Sequence, residues 1–194
     1  MLPDGKVFIT GGQTWALPFS DGNATLTPEL FDPKTNTFTP LLANTIPRTY
    51  HSVALLLQDG TVFSGGGGLC GGCSTNHFDA QIFTPPYLLK ADNTPAPRPV
   101  IVSVSAATAK VGATLTVVTN SPVGSMSLVR YGSATHSVNT DQRRVPLTPV
   151  PAGVNTYRVV VPADPGVALP GYWMLFAMDV AGVPSVSKTI KITP

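Results

Sequence analysis

An all-β fold is what this sequence predicts, and three features of its 194 residues carry that expectation. Glycine and proline number 18 and 20, and the longest stretch without either is the 13 residues from Ser133 to Val145, too short for the long helices of a bundle or coiled coil. Glu29 is the sole glutamate beside nine aspartates, and Asp favours turns and caps where Glu favours helix interiors. With 43% apolar residues and a formal net charge of +2, the chain can fill a core rather than remain disordered.

The first half repeats itself. Leu2-Pro3-Asp4-Gly5-Lys6-Val7-Phe8 recurs as Leu57-Gln58-Asp59-Gly60-Thr61-Val62-Phe63, each followed by glycines (Gly11-Gly12; Gly65 to Gly68). Farther on, Glu29-Leu30-Phe31-Asp32-Pro33 is echoed by Gln81-Ile82-Phe83-Thr84-Pro85. Asp-Gly makes a hairpin turn, Val-Phe begins a strand, and paired glycines allow close backbone approach where that strand ends. A period of about 50 residues with this content is that of kelch-type propeller blades, each a four-stranded sheet. Residues 1–90 hold about two such blades, whereas a ring closes with roughly 4–8. The expectation is therefore a partial propeller, belonging to the C-terminal piece of a longer protein.

Residues 91–99 lie in a Pro-rich seam with Pro95, Pro97 and Pro99 in alternation, a stiff extended linker. Beyond it, residues 100–194 carry short β-branched runs at Val100–Val104, Thr114–Val118, Ser127–Tyr131, Thr156–Val161, Tyr172–Met178 and Ser187–Ile192. That spacing predicts an immunoglobulin-like sandwich. Alternation along Tyr172–Met178 puts Tyr172, Met174, Phe176 and Met178 on one face and Trp173, Leu175 and Ala177 on the other. Both faces are apolar, as in a central strand covered on each side.

Several function classes fall away. There is no basic cluster to mark a nucleic-acid or anionic-membrane surface; Arg143-Arg144 is the one adjacent basic pair and reads as loop support. The longest aliphatic run, Val53 to Leu57, is far below the ~20 residues of a membrane helix. Met1 leads into a turn rather than a charged-then-apolar leader. The sequon Asn23-Ala24-Thr25 permits glycosylation if the chain is secreted. Gly65–Gly68 lacks the Lys-Ser/Thr of a phosphate loop, and no Gly-x-Ser-x-Gly elbow is present.

Three histidines remain: His51, His77 and His136. Each reads singly as a hydrogen-bonded structural residue, and His77 is kept as one. If His51 and His136 converge from separate domains, Tyr50 completes an N/O donor set suited to copper(II) rather than calcium or magnesium. In a regular strand, however, Tyr50 and His51 would point to opposite faces, so the set needs irregular backbone near Pro47. Cys70-Gly71-Gly72-Cys73 admits zinc, dithiol redox and disulfide readings; with no second Cys pair and no βαβ context, a small-loop disulfide in an oxidising compartment is favoured.

Tyr50-His51-Ser52, the stretch from Gly65 to Pro85, and Arg130 to Arg144 with its Thr135-His136-Ser137-Val138-Asn139-Thr140-Asp141-Gln142-Arg143-Arg144 run together resemble the galactose oxidase family of secreted copper radical oxidases. Similarity extends over essentially the whole chain. It implies a kelch propeller followed by an early-set, immunoglobulin-like domain, one loop of which delivers a histidine to copper. By that resemblance His136 is this histidine, Tyr50 the axial tyrosine and catalytic base, His51 the other imidazole, Phe19 a substrate-pocket aromatic, and Cys70–Cys73 the family's small-loop disulfide. A phenol of ordinary pKa about 10 acts as a base near neutrality only where a cation favours its ionised form.

The implied reaction oxidises a primary alcohol, galactose or a related carbohydrate, to an aldehyde while reducing O2 to H2O2. The family's crosslinked Tyr-Cys radical cofactor and its stacking tryptophan lie upstream, so this chain alone is expected to be an incomplete, inactive enzyme. Its implied partners are the alcohol substrate and O2, with no nucleic acid, no membrane and a monomeric, extracellular state. Thr14-Trp15 stands where the family carries a basic pair, which brings non-sugar alcohols forward as alternative substrates. A non-catalytic binding module is the other alternative.

Overall fold

The Asp-Gly turns define the first strands. In the computed structural model, which describes residues 1–136 and 138–194, Leu2 donates to the Lys6 carbonyl and Leu57 to the Thr61 carbonyl. Gly5 and Gly60 within these turns have φ of +97° and +82°, which glycine alone adopts freely. Ser137, part of the run around His136, lies outside the described residues. No helix among the described residues is long and apolar enough to cross a membrane.

Two compact units result. The first contains residues 1–57, 61–83 and 132–142. Its strands β1 (Val7–Ile9), β2 (Glu29–Asp32) and β3 (Thr37–Pro40) form one antiparallel sheet, and β4 (Val53–Leu56), β5 (Val62–Gly65) and β6 (Ala80–Phe83) form another. The repeat is visible in this pairing: β1 joins β2 as β5 joins β6, and Phe8 stacks on Phe83 with ring centroids 4.3 Å apart. Each sheet has three strands among the described residues, where the repeat predicted four.

The second unit contains residues 58–60, 84–131 and 143–194. It is a sandwich of a four-stranded and a five-stranded sheet. Its strands are β7 (Ile101–Val104), β8 (Thr108–Lys110), β9 (Thr114–Thr119), β10 (Ser125–Arg130), β13 (Arg144–Leu147), β14 (Val150–Gly153), β15 (Thr156–Val160), β16 (Gly171–Met178) and β17 (Lys188–Thr193). The sheet orders are β14-β15-β9-β7 and β13-β10-β16-β17-β8. The intervening strands β11 (Ala134–Thr135) and β12 (Val138–Asn139) pair with each other and belong to the first unit.

β16 is the middle strand of its sheet, and Trp173 to Met178 are all buried. Trp173, Leu175 and Ala177 enter the apolar core with Leu115, Val117, Leu128, Val159 and Ile190. Sequence reading missed β8 as well as β13 and β14, the latter two carrying Pro146 and Pro151. Both are edge strands, where a residue without an N–H leaves the ladder intact. Arg143 does support a loop, donating to the Gly166 and Val167 carbonyls.

Leu128 has no exposed surface and sits on β10 between β13 and β16. Leu128→Ala is expected to lower stability by about 2–5 kcal/mol, read by urea denaturation from the fluorescence of buried Trp173 in a Trp15→Phe background. A loss below half a kcal/mol would show that this position does not anchor the core.

Candidate metal centre

The first unit builds its interior around a charge. Arg48 is 1% exposed, the largest fully buried side chain of that unit. Its Nη2 donates to Asp79 Oδ2 at 2.9 Å and to Gln81 Oε1 at 3.4 Å; its Nη1 donates to the Gly66 carbonyl at 3.0 Å and the Asp79 carbonyl at 3.2 Å. The backbone of Arg48 is engaged as well, its carbonyl accepting from Gly12 at 2.8 Å. A side chain on Gly11 would overlap that same carbonyl, which is why glycine is required there.

Immediately after Arg48 the chain turns. Ser52 donates to the Thr49 carbonyl at 3.0 Å, and His51 has φ +67° while Tyr50 does not share the positive sign. A four-residue turn with positive φ at its third position is the type II pattern. This answers the geometric objection raised by strand alternation: Tyr50 and His51 lie on a turn at the entry to β4, and their ring centroids are 3.9 Å apart at 32°.

The glycine run supplies the turn's support. Gly68 donates to the Tyr50 carbonyl at 2.8 Å, and its own carbonyl lies 2.7 Å from His51 Nδ1. A carbonyl can only accept, so Nδ1 carries the proton and Nε2 is left with its lone pair. Gly68 has φ +78°, and a Cβ there would overlap the Thr75 carbonyl. Cys70 and Cys73 are joined by a disulfide with Cα atoms 5.7 Å apart. Within that loop Cys70 donates its N–H to Asn76 Oδ1 at 3.1 Å.

His136 arrives on the β11–β12 hairpin, both strands of which lie beside β4. It has φ +50°, and its Nδ1 lies 2.7 Å from the Thr135 hydroxyl. Its ring centroid stands 5.2 Å from that of His51 and 6.1 Å from that of Tyr50. Phe19 meets Tyr50 edge-on at 5.2 Å and His51 at 6.0 Å. Its loop is organised by Gln13, whose Nε2 lies 2.9–3.1 Å from the carbonyls of Leu17, Ser20 and Gly22. Thr75 adds a hydrogen bond to the Phe19 carbonyl at 3.3 Å.

His77 stands apart from this cluster, its Nε2 3.0 Å from both carboxylate oxygens of Asp21. Arg48 and Gln13 escaped the sequence reading, since only their positions in space reveal them. Among the described residues no group of three or more His, Cys, Asp and Glu is placed to hold a metal. The residues that could offer donors to one ion here are the His51–His136 pair and, beside them, Tyr50. The donor set fits a borderline transition-metal ion: metal–imidazole bonds of about 2.0–2.1 Å put two ring centres on one ion roughly 4.5–6 Å apart.

Residues 98–192 match the family described as galactose oxidase-like, early set domain. This stretch belongs to the galactose oxidase-like early set family. The whole chain is 56% identical over 193 residues to galactose oxidase of Gibberella zeae and spans 28% of that protein's length. It is 36% identical over 220 residues to the aldehyde oxidase GLOX of Vitis pseudoreticulata, of which it spans 40%. Among solved structures, a fungal alcohol oxidase of the AA5 family with catalytic diversity, in complex with copper, superimposes with a TM-score of 0.96 at 51% identity. The alignment covers all of this chain and 41% of that one. The early set domain and the segment before it thus correspond to the C-terminal portion of galactose oxidase.

Arg48 holds the Asp79 carboxyl below its ordinary pKa, chiefly through their hydrogen bond. The folded state thus favours ionised Asp79, and this stabilisation is complete above the ordinary carboxylate range and lost as pH falls through the lowered value. Asp79→Asn is expected to flatten the acid limb of the stability–pH curve, as measured by thermal melts from pH 2 to 6, a span of roughly the carboxylate titration range. Arg48→Met, which orphans the Gly66 carbonyl, should cost on the order of 1–3 kcal/mol for that group alone. An unchanged acid limb in the Asn variant would contradict this account.

Proposed function

We propose that this chain is the C-terminal part of a copper radical oxidase that converts a primary alcohol, galactose or a related carbohydrate, to an aldehyde with reduction of O2 to H2O2. In this reading residues 1–90 are the last blades of a kelch propeller, 91–99 a linker and 100–194 the early set domain. The observation that carries it is the meeting of Tyr50, His51 and His136 within 6.1 Å, ring centre to ring centre, across 86 residues of sequence. The likeness to a copper-bound alcohol oxidase supports the choice of metal.

His51 and His136 would hold copper through Nε2, with Tyr50 as the third protein donor from this chain. Copper, when bound, supplies the redox chemistry. Tyr50 accepts the substrate hydroxyl proton at its phenolic oxygen, and Phe19 packs against the substrate's apolar face and excludes water from it. No cysteine is free among the described residues, so a Tyr-Cys radical centre requires residues outside this chain. Without them the chain alone does not turn over. The disulfide suits an oxidising compartment, and we place the protein outside the cell as a monomer.

A second reading, non-sugar alcohols as substrates, is favoured by the loop that carries Phe19. Trp15 on that loop is 75% exposed, and Leu17 and Phe19 also present large apolar surface. Aromatic and aliphatic alcohols would gain there what a polar sugar would not.

In the full-length oxidase, His136→Ala is expected to reduce copper retained after dialysis at least about tenfold while leaving the circular dichroism spectrum unchanged, since the side chain is exposed at a hairpin tip. Undiminished copper would sink the assignment of His136. Trp15→Arg, assayed on a panel of galactose, benzyl alcohol and butanol, should shift relative kcat/KM toward galactose; a panel insensitive to this change would remove Trp15 from substrate selection.

A further inference from the structure

The sequon Asn23-Ala24-Thr25 is placed by the fold on the same loop as Phe19 and Trp15. Ala24 donates to the Asp21 carbonyl at 3.2 Å, and Asn23, third of these four residues, has φ +61° while Gly22 has no positive φ. This is a second type II turn, with asparagine at the position that tolerates a left-handed backbone. The turn is tied down on both sides. The Asn23 carbonyl accepts from Thr14 at 2.9 Å, Thr25 donates to the Gly12 carbonyl at 2.9 Å, and Gly22 and Asp21 are held by Gln13 and His77. Asn23 itself is exposed, and among the described residues its carboxamide makes no hydrogen bond.

We propose that Asn23 carries an N-linked glycan which stands at the rim of the Tyr50–His51–His136 cluster and limits the approach of large substrates. Two requirements of such a site are met on this turn, an acceptor carboxamide not engaged by the fold and a Thr two residues on, and the Cys70–Cys73 disulfide suits the oxidising compartment a third requires. The functional consequence is geometric. Asn23 is four residues from Phe19, so it lies within about 14 Å of it, and Phe19 itself is 5.2 Å from Tyr50. A branched glycan is larger than that gap and hydrophilic, so it crowds a polymer-borne alcohol while a free alcohol passes. The inference rests on the extracellular reading above but does not require copper.

The test uses the full-length protein secreted by a filamentous fungus. Peptide mapping by mass spectrometry is expected to find the Asn23 peptide with a glycan mass, removed by peptide-N-glycosidase with conversion of Asn23 to aspartate. Asn23→Asp, which keeps a residue tolerant of positive φ, and Thr25→Ala should lose the mass, and Thr25→Ser should retain it. Trimming the glycan should raise turnover of a galactose-bearing polysaccharide relative to a small alcohol. Secreted, disulfide-bonded protein with a bare Asn23 overturns the proposal and leaves the oxidase reading intact, as does a substrate ratio unmoved by trimming. A glycosylated protein that neither binds copper nor oxidises alcohols would instead overturn the oxidase reading.

Discussion

The first unit depends on one buried cation. Large apolar side chains are scarce in its interior, where Leu2, Leu30 and Val62 are joined by polar Thr49, Ser52 and Ser64. The guanidinium of Arg48 takes the place of a larger hydrophobic cluster, tying the segment before the Tyr50–His51 turn to the ends of β5 and β6. Its planar fork suits this work better than an ammonium would, because donors on two nitrogens reach different oxygens at once. The Arg48–Asp79 pair, its carboxylate 44% exposed, is weak evidence of net stability. Its value is geometric: Gly66, which it grips, stands two residues before the carbonyl that orients His51.

Three strained positions, beside Leu69 at φ +59°, lie where the cluster forms. His51, His136 and Phe19 all have positive φ, at +67°, +50° and +57°, and each such placement of a non-glycine residue costs on the order of 1–3 kcal/mol. No stability argument asks for an aromatic side chain at these positions, where glycine or asparagine would relieve the backbone. The second unit shows the contrast: its core is apolar, and among its described residues Asn93 and Asn155 account for the positive φ outside glycine. Unrelieved strain at three side chains that converge is what a site selected for geometry rather than stability looks like.

Much of this was legible from the sequence, for reasons that also explain what was not. The sandwich strands around Thr114, Ser127, Thr156, Tyr172 and Ser187 declared themselves because their inward faces must be apolar every second residue. Edge strands β13 and β14 escaped because Pro146 and Pro151 break the local signal and cost nothing at a sheet edge. Tyr50, His51 and His136 could be named from a family resemblance, but not the means by which adjacent residues share one side: a type II turn is sparsely encoded when its positive-φ position holds histidine instead of glycine. Arg48 gave no signal, since a buried arginine and a surface one are spelled alike. The Gly65–Gly68 run was legible as glycines that allow close backbone approach, but not that the group approached is the His51 imidazole.

The two imidazoles are not prepared in the same way. At His51 the partner of Nδ1 is a backbone carbonyl, which accepts and never donates, so the proton is fixed on Nδ1 and the ring is oriented before any ligand arrives. At His136 the partner is the Thr135 hydroxyl, which rotates and serves either way. One donor is therefore set by the rigid interior of the first unit, while the other sits on a two-stranded hairpin and can adopt either tautomer. Such a division suits a centre whose ligands come from distant parts of a chain. In the proposed centre the rigid turn with Tyr50 and His51 would define where an ion sits, and the hairpin histidine would adjust to it. Reversing the arrangement would leave the adjacent pair, already constrained to one turn, to accommodate a fixed third partner, and a turn closed by hydrogen bonds to Gly68 on both its residues has little freedom to do so.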